Sequence, residues 1–132
     1  MTNLHQMSAS KAAQAIRNGE LKSEDLLQAC IERIIEKEPQ TQAWVSTHFS
    51  AALKQARHLD RSAYSGILHG LPFGAKDLFD THDFPTRYGS PIYETNQPST
   101  DAVHIALMRQ AGGILLGKTV TTEFATFKGG PT

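Results

Sequence analysis

Cysteine, net charge and long apolar runs are all scarce in this chain, and each shortage excludes a class of protein. A single cysteine, Cys30, rules out an intrachain disulfide. It stands among Leu26, Leu27, Ile31 and Ile34 on a helix-patterned stretch, where a small packing residue is the expected reading and a nucleophile is not. Thirteen Lys and Arg balance thirteen Asp and Glu, so no basic stripe is available for nucleic acid or an anionic membrane. No apolar run approaches the roughly 20 residues of a membrane span. The first residues, with His5, Gln6, Ser8 and Ser10, lack a secretory hydrophobic region, which makes cytoplasm the expected location. The six histidines have no spacing to cysteine or carboxylates that defines a zinc site, so no metal is expected. Neither an internal repeat nor a low-complexity linker is present, and 132 residues suit one ordinary domain or a module of a larger fold.

What is there divides near Gly66. Residues 1–65 read as mainly helical: Ala12, Ala13 and Ile16 mark one helix face after Ser8 and Ser10, with Gly19 placed for a left-handed cap. Ser23 is expected to cap a second helix, with Glu24 and Asp25 in its first turn and Leu27, Ile31, Ile34 and Ile35 at helical spacing until Pro39 stops it. Ala43, Trp44 and Val45 suggest a brief extended segment. Ala52, Leu53, Ala56 and Leu59 then mark a third helix.

Residues 66–132 have an α/β character. Gly66, Gly70, Pro72 and Gly74 interrupt Ile67, Leu68, Leu71 and Phe73, which predicts a strand or turn segment with Lys76 at the end of a strand. A loop through Asp83, Pro85, Gly89, Ser90 and Pro91 leads to Asp101, the expected cap of a helix carrying Val103, Ile105, Ala106 and Met108. Gly112 and Gly113 end that helix, and Ile114, Leu115 and Leu116 form a buried strand ending at Gly117. Such strands need neighbours, and Lys128 to Thr132 read as a loop entering further structure. The chain is therefore expected to stop in the middle of a domain and to expose apolar surface.

The stretch Leu68-His69-Gly70-Leu71-Pro72-Phe73-Gly74-Ala75-Lys76-Asp77 is the most informative for chemistry. A lysine beside an aspartate is ordinarily a solvated pair. Behind an apolar, glycine-interrupted strand, burial instead disfavours an ammonium, and a neutral amine can accept a proton. Asp77 opposes this if it faces the amine, but neighbours on a strand point to opposite faces. Gly112 to Thr119 has phosphate-loop residue types without the spacing, because an apolar strand separates Gly113 from Gly117; Lys118 is therefore expected to be structural. His82 and Asp83 are expected to form no more than a local polar pair.

A series of short elements then resembles one family. Gly-Leu-Pro-x-x-x-Lys-Asp at Gly70 to Asp77 is followed by Pro85-Thr86, Gly89-Ser90, Asp101, Ala111 to Ile114, Gly117-Lys118-Thr119 and Glu123-Phe124. In order and spacing this is similar to the amidase-signature family, and the resemblance covers nearly all of the chain. It implies the N-terminal helices, first strands and helix of an incomplete α/β/α mixed-sheet fold, cut before a glycine- and serine-rich catalytic segment. It further implies a Ser-Ser-Lys triad in which Lys76 is the catalytic lysine and both serines lie in that later segment. Ser90 and Ser99 are not in the required pattern and are assigned loop or capping roles. Val120 stands where many relatives have asparagine. Ala125, Thr126 and Phe127, with Lys128, are expected to approach the substrate.

The implied chemistry is hydrolysis of a small-molecule carboxylic amide to an acid and ammonia or an amine, with no cofactor. The alternatives are the glutaminase subunit of a tRNA-dependent amidotransferase, which would bring a partner subunit, and a short noncatalytic binding module. A homo-oligomer is a further open partnership, and no direct nucleic acid or membrane binding is expected.

Overall fold

The computed structural model describes residues 3–127. Lys128 to Thr132, expected to form an onward loop, lie outside the described residues. The elements run α1 (Ala9–Arg17), α2 (Ser23–Thr41), β1 (Trp44–Thr47), α3 (Phe49–Asp60), β2 (Pro72–Lys76), α4 (Val103–Gln110) and β3 (Ile114–Thr119), with short 3-10 turns between them. The helix-rich first half and α/β second half match the pattern of apolar spacing. The boundary near Gly66 is not a division in space, because β1 joins the sheet of the second half.

Local chemistry explains the first helix. Ser8 caps α1, its hydroxyl accepting from the Lys11 N–H at 3.4 Å, and Gly19 takes the left-handed conformation beyond the helix. The expected cap of α2 is corrected: Lys22 is the capping position and Ser23 is the first helical residue, its hydroxyl buried without a partner. The cap comes from far along the chain. The Asp60 carboxylate accepts the N–H groups of Ser23 at 2.7 Å and Glu24 at 3.0 Å, placing a full negative charge at the positive end of the helix. Nor does Pro39 stop α2, which continues to Thr41 and ends on left-handed Gln42. Near a helix end the N–H that proline lacks costs one bond, and Glu38 offsets the disruption by accepting the N–H groups of Ala43 and Trp44.

The sheet has the order β1-β3-β2. β3 is central, antiparallel to β1 and parallel to β2, and it extends to Thr119, two residues beyond the strand end expected at Gly117. Both faces are covered. On one, Ile114 and Leu116 pack with Leu27 and Ile31 of α2 and Ala52 and Ala56 of α3. On the other, Leu115 and Ala75 pack with Phe84 and with Ile105 of α4. A third cluster joins Ala12 and Ile16 of α1 to Leu26 and Leu71. Cys30 packs beside that cluster, and burial pushes its thiol up from the ordinary range, as a packing residue requires. This is the layered α/β arrangement expected from the sequence, present as a partial mixed sheet.

Apolar residues and a sheet edge stay uncovered among the described residues. The side of β2 away from β3 carries no further strand, and apolar Ile67, Ile92 and Val103 are about three-quarters exposed (74%, 80% and 79%). No described helix is long and apolar enough to cross a membrane.

Candidate active site

Lys76 is the last residue of β2, at the carboxyl end of a parallel pair where it stands in register with Thr119 of β3. Alternation along the strand separates it from its neighbours: Ala75 and Asp77 are buried while Lys76 is exposed. Of the two orientations the sequence left open, Asp77 thus takes the one facing away from the amine. The shielded pocket expected around that amine is not formed by residues 3–127. β2 is an edge strand, with no further strand beyond it among the described residues. The ammonium of Lys76 makes no hydrogen bond or ion pair with any described residue.

The other lysine of the strand pair has the opposite environment. Lys118 is fully buried, its Nζ 3.2 Å from Asp77 Oδ1, 2.7 Å from Thr86 Oγ1 and 3.4 Å from the Pro85 carbonyl. Burial pushes its ammonium down from the ordinary lysine range, while the Asp77 carboxylate works in the other direction. Three acceptors surround the amine, which gives Lys118 the structural role expected of it. Asp77 also accepts the Arg87 N–H on both carboxylate oxygens, each at 3.3 Å.

Beside this pair lies a cleft of about 210 Å³ lined by Asp77, Arg87, Ser90, Glu94 and Thr121. Ser90 does precede a 3-10 turn, but its hydroxyl makes no capping bond and is buried without a partner; the capping role is corrected. Ser99 lies exposed in a bend, consistent with a loop residue.

Asp101 does not cap α4, whose capping position is Ala102 with no side-chain bond. Its carboxylate instead accepts the His82 N–H and meets the His82 ring, both at 2.9 Å, and lies 3.0 Å from Arg109 Nε. The expected His82 and Asp83 pair is likewise replaced, because Arg109 draws Asp83 into its own ion pair at 2.7 Å. The ligand atoms of His82, Asp83 and Asp101 gather within 4.8 Å. Arg109 already supplies the positive charge at that cluster. His69, by contrast, is a buried packing histidine tied to Ser65 and the Leu59 carbonyl.

Parallel pairing brings the segment after β3 to the same end of the sheet as Lys76, the end at which open α/β sheets bind ligands. Phe124 and Ala125 there adopt left-handed backbone with φ of 50° and 57°, unusual for residues with side chains. Phe124 is tied by its N–H to the Tyr88 carbonyl at 2.7 Å. Of the residues expected near substrate, Thr126 bonds through its hydroxyl to the Glu123 carbonyl and Phe127 is fully exposed. Lys128 lies outside the described residues. Val120 makes its backbone bond to the Ala43 carbonyl at 2.9 Å, tying this strand exit to the start of β1. The residues sequence reasoning missed are Asp60 and Arg109, whose partners lie 37 and 26 residues away.

The comparisons with known proteins agree on a family. The amidase family profile matches residues 25–131. The chain is 38% identical over 129 residues to a glutamyl-tRNA(Gln) amidotransferase subunit of Chloroflexus aggregans, a match covering 95% of this chain and 26% of that protein. It is 34% identical over 126 residues to the candidate amidase AmiD of Mycobacterium tuberculosis, covering 92% of this chain and 26% of the relative. Its fold superposes on the peptide amidase of Stenotrophomonas maltophilia with a TM-score of 0.84 at 31% identity, over 92% of this chain and 26% of that enzyme. The chain thus spans about a quarter of the length of the relatives it matches, in each case across nearly its whole extent. On a profile match over most of its residues, with a sheet and helices that superpose on a solved member, this chain belongs to the amidase family.

Proposed function

We propose that this chain supplies the lysine arm of an amide hydrolase acting on carboxylic amides, with Lys76 as the proton acceptor of a Ser-Ser-Lys triad. The neutral amine takes a proton through a bridging serine, a second serine attacks the amide carbonyl, and ammonia or an amine departs before water releases the acid. Both serines belong to a glycine- and serine-rich segment not found in residues 1–132. By itself the 132-residue polypeptide turns over no amide. Residues 1–132 form the opening part of one amidase-signature domain, and the expected cytoplasmic location accompanies this reading.

The observation that carries it is the placement of Lys76: a lysine with no described partner, at the carboxyl end of a parallel strand, in a chain of the amidase family. Ala125, Thr126 and Phe127 follow from the neighbouring strand at the same sheet end, and we assign them to the substrate side. The left-handed backbone of Phe124 and Ala125 supports that assignment, because strained residues concentrate at such sites.

The test is Lys76→Ala in the full-length polypeptide that carries residues 1–132. Turnover of a primary carboxamide falls by about 10²–10⁴-fold, the contribution of a positioned acid or base, while KM stays near its starting value. Unchanged kcat removes Lys76 from the mechanism. A second reading, a glutaminase component that passes ammonia to a partner protein, is favoured by the similarity to the Chloroflexus aggregans amidotransferase. Free ammonia from glutamine that rises only when the partner protein is added distinguishes it from simple hydrolysis.

A further inference from the structure

Asp77 is tied down more heavily than any neighbouring residue of β2. Its carboxylate meets Lys118 and the Arg87 N–H, its own N–H donates to the Thr119 carbonyl at 2.8 Å, and its carbonyl accepts the Tyr88 N–H at 2.9 Å. One residue thus joins the end of β2 to the end of β3 and to the loop behind them. Asp77 and Lys118 are both essentially excluded from solvent, at 1% and 0% exposure. Arg87 and Glu94 share the adjoining cleft, and Asp80 and Asp83 act on Lys118 from farther away.

Burying such a pair stabilises a fold little compared with apolar residues of the same volume, whereas it can specify one arrangement over another. Here the arrangement at stake is the face on which each residue of β2 lies. A slip of one residue exchanges the faces of Lys76 and Asp77. Lys76 would then be driven against Lys118, whose remaining hydrogen-bond acceptors in the structure are Thr86 Oγ1 and the Pro85 carbonyl.

We propose that the buried Asp77–Lys118 pair is a positioning device that fixes the face of the β2 terminus from which the Lys76 amine projects. Asp77 and Lys118 are positioning residues for the reaction, and this role rests on the reading of Lys76 as proton acceptor. Asp77 also has its charge matched on the buried face, which keeps that carboxylate from pairing with the amine next to it in sequence.

The experiment measures kcat, KM and the urea midpoint in the full-length polypeptide carrying residues 1–132, for Asp77→Asn, Lys118→Met and the apolar double variant Asp77→Leu with Lys118→Met. Lys76→Ala is the reference. Each single variant is expected to lose kcat by about 10²-fold, the cost of a displaced catalytic group, with KM little changed. The double variant regains the urea midpoint because no buried charge is left unmatched, yet its kcat stays low. Recovery of kcat along with the midpoint shows a merely structural pair and overturns the proposal. Wild-type turnover in Lys76→Ala sinks the reading of Lys76 itself, and the positioning role with it. An inactive Lys76→Ala beside a fully active Asp77→Asn sinks the positioning role alone. Competitive acylation of the unsubstituted polypeptide needs no variant to fold: Lys118 is protected while exposed Lys11 and Lys54 react, and a Lys118 that labels as readily as they do overturns the buried pair.

Discussion

The carboxyl ends of β2 and β3 lie side by side, and each carries a lysine in a contrasting environment. Lys118 has a carboxylate, a hydroxyl and a carbonyl around its amine and is sealed from solvent. Lys76 has no partner among the described residues and stands at an uncovered strand edge. If Lys76 has the role proposed above, burial is a poor guide to which lysine does chemistry in this molecule. The buried one has its bonding capacity filled by the fold, whereas the exposed one has no described partner, as the proposed role requires.

Stability measurements can break this contrast. The largest effect is expected for Lys118→Met, which leaves Asp77 as an unmatched buried carboxylate and lowers the unfolding free energy by about 3–5 kcal/mol. A urea titration showing no loss would place Lys118 with the surface lysines. Next is Asp60→Ala, which removes the acceptor for the first two N–H groups of α2 and costs about 1 kcal/mol, readable by thermal unfolding. A smaller, pH-dependent effect belongs to Asp101. Its burial pushes the carboxyl up, but bonds to the His82 backbone and ring, together with Arg109, outweigh this and hold it below the ordinary range. Its stabilising contribution is thus present above the unfolded carboxyl value of about 3.9 and is lost as pH falls through the folded value. Asp101→Asn flattens that acid limb in pH-resolved unfolding, and an unchanged limb refutes the assignment. The smallest effect is Lys76→Ala, within about 0.5 kcal/mol of the parent. A large loss there would show that Lys76 is structural after all.

Where partners are near in sequence, the fold was legible. Ala12 and Ile16 marked the buried face of α1, and the apolar run from Ile114 located a buried strand. Strand alternation offered the separation of Lys76 from Asp77 as one of two orientations, and the structure decides for it. The failed caps of α2 and α4 involve distant partners. Ser23 has the right chemistry for a cap, but Asp60, brought in by α3, reaches the same N–H groups with a full charge. Asp101 was diverted from α4 by His82 and Arg109, and no local pattern announced that Lys118 would close on Asp77. The shielding expected around Lys76 failed for a related reason: an edge strand cannot enclose its own terminal side chain.

The central position of β3 also sets an order of events. β1 leaves the ribosome about seventy residues before the strand it must join, since Trp44 stands in register with Thr119. Trp44 is the chain's one tryptophan, and its ring packs so closely over Gly74 that an added Cβ there would come within 2.9 Å of it. Its fluorescence is accordingly a built-in clock for sheet closure. Emission should report the late joining of β1, β2 and β3, while far-ultraviolet circular dichroism follows the earlier helices.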